Sequence, residues 1–311
     1  MASMTRPTPP ARGCAAADRS PAAAGLVYLV REYEVATVCP NFYVLAHARG
    51  CAFRPNCAYC YLRDRGEYGD AGGPPEPAAR ALAAAREWIA RDGLTSWVLN
   101  AGNVTDSFCF ERDRPLAAEL VELFRAEAEA RGRRHTLLLV TKGGGRECAA
   151  LDGVAPCRNV IVSFSVNAPD VARRLESGAA EPADRLDAAR RLRERGWRVR
   201  LRIDPMIAGA SYADTIAGVA DVRPERTTLG ALRAEGRLTE FVPDGVLDGL
   251  LPPACDGEIW RYPEDVRLAL YRPAVERLRG VCGVGLCEER PHVWAALGLD
   301  PAARGCNCNE R

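Results

Sequence analysis

The sequence has few of the features that direct a protein to a membrane, to the cell exterior or to a polyanion. No run of about 18 apolar residues is present, and the first 21 residues lack the apolar centre of a signal peptide. The 42 Lys and Arg residues are balanced by 41 Asp and Glu residues, so no excess of positive charge indicates a duplex DNA partner. We therefore expect a cytoplasmic protein without membrane contact.

Histidine is also scarce, with three residues in 311, whereas cysteine is abundant, with 13. His47, His135 and His292 each lie in or near an apolar run, where a core or surface imidazole is a simpler interpretation than a metal ligand or base. Because the cytosol keeps thiols reduced, the cysteines do not predict a disulfide framework. They favour metal or iron–sulfur binding, with some of them as buried core thiols.

Strand-like and helix-like segments alternate along most of the chain. Strands are predicted at YVLAHA, SWVLNA, HTLLLVTK, NVIVSFSV and WRVRLRIDP, and helices at 77–92, 114–131, 182–195 and 263–280. This alternation is typical of repeated βα units. The pattern therefore predicts an α/β fold with a parallel sheet.

The predicted strand WRVRLRIDP has two different faces. Positions 197, 199, 201 and 203 are apolar and share one face, whereas Arg198, Arg200 and Arg202 share the other. In a barrel covered by helices the apolar face packs outward, so the arginines would point into the lumen and need an anionic ligand or a wet interior there. An edge strand with solvated arginines is the alternative.

The segment GCAFRPNCAYCYL, residues 50–62, follows the first predicted strand of the βα series and contains Cys51, Cys57 and Cys60. Three thiolates on one loop can bind three irons of a [4Fe–4S] cube and leave the fourth iron without a protein ligand. A zinc site would need a fourth Cys or His, which the segment directly after Cys60 does not supply. The motif therefore favours an iron–sulfur cluster with one open iron.

This motif resembles that of the radical S-adenosylmethionine (SAM) superfamily, Cys-x3-Cys-x2-Cys with an aromatic residue, here Tyr59, before the last cysteine. The first gap is two residues longer here. Within the superfamily the chain resembles the spore photoproduct lyase family over residues 40–310, through CAYCYL, NAGNVTDS, LLLVTK, VSFSVN, RLDAARRL, RIDPMI and RYPEDVRLALY. The resemblance implies a partial (β/α)6 TIM-like barrel of the radical SAM type with a C-terminal extension. We expect a disordered head at 1–25, the barrel at 26–225 and a C-terminal region with a cysteine-rich tail at 226–311.

The resemblance also implies a SAM site. The amino and carboxylate groups of SAM would chelate the open iron, and Thr105, Lys142 and Ser165 occupy the positions that meet the carboxylate. All three fall at predicted strand ends, where βα barrels place their ligand groups, and an ammonium with two hydroxyls suits a carboxylate.

Further matched positions lie around the same cofactor. Gly102 and Asn103 match the stretch that approaches the methionyl end, and Tyr59 is expected to offer backbone contacts to adenine. Weaker candidates for cofactor or substrate contact, or framework polar residues, are Asn167, Glu176, Arg202 and Asp204.

The implied reaction is reductive cleavage of SAM to methionine and a 5'-deoxyadenosyl radical that abstracts hydrogen from substrate, with a reductase such as flavodoxin or ferredoxin as electron donor. The lyase cysteine that returns a hydrogen atom aligns with Asn103, whose amide cannot do so. Cys109 could replace it only if the loop folds back. We therefore predict a small nucleoside-, nucleotide- or sugar-type substrate, with a phosphate met by Arg200 or Arg202; DNA pyrimidine-lesion repair is the alternative.

The segment LCEERPHVWAALGLDPAARGCNCNE contains a second cysteine group. Cys287, Cys306 and Cys308 form another set of three thiols, with Cys282 nearby as a candidate fourth. They could bind an auxiliary iron–sulfur cluster that relays electrons, anchors substrate or donates sulfur for insertion; structural zinc and free thiols are the alternatives. For the whole chain, the non-enzymatic alternative is a zinc-binding interaction module.

Overall fold

The computed structural model describes residues 25–30, 37–64, 74–234, 236–253 and 259–310. Apart from Gly25, the predicted disordered head lies outside these residues. Within them the chain forms ten strands: β1 (Val27–Val30), β2 (Phe42–Leu45), β3 (Val98–Asn100), β4 (Thr136–Thr141), β5 (Val160–Ser165), β6 (Arg198–Met206), β7 (Arg226–Ala231), β8 (Arg233–Ala234), β9 (Trp260–Arg261) and β10 (Gly283–Leu286).

The same residues form seven α-helices: α1 (Ala78–Ile89), α2 (Ala117–Phe124), α3 (Pro169–Leu175), α4 (Pro182–Glu194), α5 (Ala213–Val222), α6 (Glu264–Leu278) and α7 (Pro291–Ala296). A π-helical turn, Arg125–Glu129, continues α2. Short 3-10 helices lie at Tyr61–Arg63, Glu147–Leu151, Gly236–Glu240 and Pro301–Ala303. Each of the four predicted helices corresponds to one of the α-helices, and the predicted and observed first residues differ by at most three positions.

Eight of the strands form one sheet in the order β1-β2-β3-β4-β5-β6-β7-β10. All neighbours from β2 to β10 are parallel, and β1 pairs antiparallel with β2. Helices pack on the outside, with α4 against β5 and β6 and α6 against β7 and β10. The predicted partial (β/α)6 barrel is confirmed, and its sheet extends past the domain boundary predicted between 225 and 226.

Strand β6 decides how the arginine face is oriented. Its apolar side chains join the core beneath the helices, and Arg200 on the other face is fully buried inside the barrel. Its guanidinium donates to the backbone oxygens of Asn307 and Asn309 and to the Glu225 carboxylate. The arginines therefore face the lumen, but Arg200 contacts protein groups, which corrects the expectation that it meets a substrate phosphate.

The C-terminal tail, residues 305–310, lies against the inner face of the barrel. Arg226 Nη1 donates to the Cys306 carbonyl at 2.9 Å, and Ser163 Oγ donates to Asn307 Oδ1 at 2.9 Å. Gly285 on β10 allows the contact, because a Cβ there would lie 2.0 Å from the Gly305 oxygen. The tail therefore forms part of the lumen wall.

Across the described ranges, no helix is both long enough and apolar enough to cross a membrane.

Candidate functional site

A cavity of about 270 Å³ opens at the C-terminal ends of the parallel strands. Its wall brings together every cofactor residue predicted from the sequence: Tyr59, Gly102, Asn103, Thr105, Lys142, Ser165 and Arg202. It also contains six of the predicted metal ligands: Cys51, Cys57, Cys60, Cys287, Cys306 and Cys308. Lys142, Ser165 and Cys287 stand at strand ends, and most of the others lie on the loops that follow β2 and β3, as in other βα barrels.

The first cysteine loop, residues 51–60, is attached to the turn that follows α3. The Ala58 N–H donates to the Leu175 carbonyl at 2.7 Å. A Cβ on Gly178 would lie 2.2 Å from the Pro55 oxygen, so glycine is needed for the loop to pack this closely. These contacts fix the loop over the mouth of the barrel.

A buried carboxylate, Glu176, connects this loop to two other elements. It accepts hydrogen bonds from the Tyr59 hydroxyl, from Asn167 Nδ2 at 3.1 Å and from Arg185 Nη1 at 2.6 Å. Burial alone would raise its pKa, but Lys142 and Arg185 hold the pKa below its usual value. Glu176 and Asn167 are thus framework residues that orient Tyr59.

The surroundings of the first cysteine loop raise the pKa of its three thiols. Burial raises the pKa of Cys57 to about 12 and also raises the pKa of Cys60, and Lys142 opposes both shifts. Contact with Cys109, followed by burial, raises the pKa of Cys51. A cationic metal centre removes these protons, so its binding releases protons here.

The donor set fits a [4Fe–4S] cluster with one open iron. Cys51, Cys57 and Cys60 share one loop and one cavity, and the cavity has further polar groups for a small ligand. No three Cys, His, Asp or Glu side chains in the described ranges are placed to hold a single metal ion. A cube takes one thiolate per iron and therefore spaces its ligands more widely than one ion does.

Lys142 stands at the end of β4 and is the only lysine among the 42 Lys and Arg residues. Asp106 fixes its backbone, because the carboxylate accepts from the Lys142 N–H at 2.7 Å and from Thr141 Oγ1 at 2.8 Å. Its ammonium lies 5.8 Å from the centre of the Tyr59 ring, and the described residues offer Nζ no hydrogen-bond or ion-pair partner. An anionic ligand in the cavity would therefore find an available cation.

The loop after β3 holds Asn103, which aligns with the hydrogen-donor cysteine of the lyase, and Cys109, its candidate replacement. The Asn103 carbonyl accepts from the Tyr61 hydroxyl, and Asn103 lines the cavity. Cys109 Sγ accepts from the Ala52 N–H at 3.3 Å and lies 3.6 Å from Thr105 Oγ1. It contacts the first cysteine loop and is not among the described residues that line the cavity.

Gly102 makes its close approach to β4. A Cβ there would lie 2.5 Å from the Val140 carbonyl oxygen and 2.9 Å from Ser107 Oγ. The absence of a side chain thus lets the loop pack on the sheet, which places Asn103 and Thr105 at the cavity.

His47 supports this loop from behind. Its Nε2 lies 2.9 Å from the Ala101 carbonyl and its Nδ1 lies 2.7 Å from Arg114 Nη2, so the neutral ring donates at Nε2 and accepts at Nδ1. Burial and the Arg114 charge lower its pKa to about 3. His47 is a core residue, as the sequence indicated.

The tail cysteines form a second group in the same cavity, together with Cys39. Cys282 is not brought to this group: its Sγ lies 3.4 Å from Thr227 Oγ1, at the other end of β10. The sequence pattern did not indicate Cys39, because it has no spacing relation to Cys287, Cys306 or Cys308 and only the folded chain brings it near them.

Solved structures of other proteins have a similar fold. A spore photoproduct lyase variant bound to a dinucleoside spore photoproduct matches with a TM-score of 0.62 and 16% identity, over 78% of this chain and 75% of that chain. Another variant of that lyase, with bound SAM and the same dinucleoside, matches with a TM-score of 0.59 and 16% identity, over 76% and 74%. The chain shares its fold with this lyase.

Streptococcus suis SuiB bound to its precursor peptide SuiA also shares the fold, with a TM-score of 0.52 and 14% identity, over 82% of this chain and 50% of that chain. No protein-family model matches the sequence. No curated protein matches it either.

Proposed function

We propose that this protein is a radical SAM enzyme in which Cys51, Cys57 and Cys60 hold a [4Fe–4S] cluster beside SAM. The observation that carries the proposal is the meeting of these three thiols with Lys142 and Ser165 in one cavity. When bound, the reduced cluster supplies the electron that cleaves SAM to methionine and a 5'-deoxyadenosyl radical, which takes a hydrogen atom from substrate.

The protein's own residues bind and orient SAM. The Lys142 ammonium and the Thr105 and Ser165 hydroxyls would bind its carboxylate, since charge-assisted hydrogen bonds are the strongest available there. Gly102, Asn103, the Tyr59 backbone and Arg202 would contact the rest of the cofactor.

The fate of the substrate radical depends on the loop after β3. Asn103 faces the cavity and suits a hydrogen bond to SAM or substrate, whereas its amide cannot return a hydrogen atom. A hydrogen-donor role for Cys109 stays a prediction and requires this loop to move, because its thiol now faces Cys51.

We propose a small substrate of the nucleoside, nucleotide or sugar type, because the cavity of about 270 Å³ lies just below the usual range for small-molecule sites. The similar structures hold a dinucleoside photoproduct and a peptide, so the fold alone does not select between these classes. A small reductase such as flavodoxin or ferredoxin would supply the electron. Sulfur insertion stays a prediction that depends on the metal content of the second cysteine group.

The test is anaerobic reconstitution with iron and sulfide, followed by SAM and dithionite, with 5'-deoxyadenosine and methionine measured by mass spectrometry. We expect both products from the wild type and from Cys148→Ala, which alters a buried core thiol, and neither from Cys57→Ala. Equal product from Cys57→Ala, or a wild type that takes up zinc without iron, would refute the proposal.

A further inference from the structure

Four thiols from three separate segments of the chain line the cavity. Cys39 and Cys306 interact electrostatically with Cys308, and Cys287 and Cys308 both interact with Arg202. Cys39 precedes β2, Cys287 directly follows β10, and Cys306 and Cys308 belong to the C-terminal tail. The two sides of the open barrel are joined here, since the Val38 N–H donates to the Glu289 carbonyl at 2.8 Å. The group, which we call the second cysteine group, therefore lies where the β2 side meets the β10 side.

Arginines surround this group. Arg233 Nη2 lies 3.2 Å from the Cys287 sulfur and Arg202 Nη2 lies 3.7 Å from it. Asp204 accepts from both guanidinium groups, at 2.9 Å from Arg233 Nη1. The Arg202 Nε atom is buried without a hydrogen-bond partner.

This arrangement suits an anion. Two carboxylates, Asp204 and Glu288, pair with the guanidinium groups of Arg202 and Arg233. The Arg202 Nε donor still lacks an acceptor, which a thiolate or sulfide could provide. A cluster bound by four thiolates has a negative overall charge, which nearby arginines stabilise.

The tail backbone holds two of the four thiols in place. Carbonyl groups of Cys306 and Asn307 accept from Arg226 and Arg200, and the Asn307 side chain accepts from Ser163. These contacts place Cys306 and Cys308 through the backbone, and the two thiols lie within hydrogen-bond reach of each other.

We propose that Cys39, Cys287, Cys306 and Cys308 bind a second iron–sulfur cluster inside the barrel. Four thiolates are the usual ligand set for a cube. A zinc ion would hold its thiolates at about 2.3 Å and hence close together, whereas no three such side chains in the described part of the chain are placed around one ion. The cluster would share a cavity with the SAM site, although its binding does not depend on SAM cleavage.

The test is metal and sulfide analysis of the full chain after anaerobic reconstitution, with Mössbauer spectra to assign the clusters. We expect about eight irons in the wild type, about four in Cys306→Ser/Cys308→Ser and about four in Cys51→Ala/Cys57→Ala/Cys60→Ala. Cys39→Ser is expected to lose the second cluster, while the matched control Cys282→Ser keeps about eight irons.

Each cluster serves as a folding control for the variants that remove the other cluster. Retention of the first cluster in Cys306→Ser/Cys308→Ser shows that this variant has folded, and loss of both clusters calls for Cys39→Ser alone as the deciding variant. About four irons in the wild type and none in the loop triple variant would overturn the second site and leave the proposed function intact. One zinc in place of the second set of irons would overturn it as well.

Discussion

The Lys142 ammonium lies 5.8 Å from the centre of the Tyr59 ring, and the Tyr59 hydroxyl donates a hydrogen bond to the Glu176 carboxylate. Tyr59 precedes Cys60, a proposed ligand of the first cluster, and all three residues line the same cavity, so the cation is available to an anionic group bound there. A cation near an aromatic face gains roughly 0.5–2 kcal/mol, which keeps Lys142 near the site before any ligand arrives.

Replacing Lys142 by Met should weaken SAM binding without removing the cluster. Loss of a hydrogen bond to a charged group costs about 1.5–3 kcal/mol, which corresponds to a 10- to 150-fold higher Kd. Calorimetric titration of the reconstituted protein with SAM would measure the Kd, and the iron content would be determined in parallel. Lys142→Arg keeps the charge and should retain more affinity; equal affinity in all three proteins would contradict this role.

Gly178→Ala should displace the first cysteine loop. The new Cβ would lie 2.2 Å from the Pro55 oxygen and 2.5 Å from the Arg54 carbonyl carbon, and the backbone must move to relieve the contact. Overpacking of this kind costs about 1–3 kcal/mol, and we expect a lower iron content at the first cluster. Gly153→Ala, where nothing lies within 4 Å, is the matched control and should keep wild-type iron.

Gly285→Ala should separate the tail from β10, because its Cβ would lie 2.0 Å from the Gly305 oxygen. We expect the iron content to fall from about eight to about four while the first cluster remains. Gly283→Ala lies two residues earlier on the same strand, has no contact closer than 3.5 Å and should retain both clusters. Full iron content in Gly285→Ala would show that tail position does not control the second site.

Acid should destabilise the fold through His47. Its folded pKa of about 3 is below the unfolded value of about 6.5, so the unfolded state binds more protons between these values. The stabilisation is complete above pH 6.5 and is lost as the pH falls towards 3, by about 1.4 kcal/mol per pH unit for this one group. Denaturant unfolding at several pH values would measure how the free energy of unfolding depends on pH. We expect this dependence to be less steep in His47→Gln. An unchanged dependence would exclude His47 as its source.

The part of the fold from β2 to β6 was predictable from the sequence, whereas β7, β10 and helix α5 were not. Strands β2 to β5 are largely apolar runs, β6 alternates arginine with apolar residues, and helices separate most of these strands. By contrast, β10 is the four-residue segment GVGL, in which two glycines replace the branched side chains that mark a strand, and β7 contains two threonines and a glycine. Helix α5 also lies in the region after β6 where the alternation weakens.

The site was predictable where a motif or a strand end supplied the residue. Cys57, Cys60 and Lys142 meet these conditions, and their side chains line one cavity. Cys39 meets neither, because its position beside the tail results from closing the two edges of the barrel. Likewise, the alternation of β6 predicted that Arg200 faces the lumen, but the backbone carbonyls it binds belong to a segment more than 100 residues away.

The tail closes the lumen through contacts to residues of three strands, Arg200 on β6, Arg226 on β7 and Gly285 on β10. Docking of the tail therefore requires that these strands have already paired. A cluster at the inner cysteines, as proposed above, would enter from this side before Arg200 and Arg226 bind the tail carbonyls.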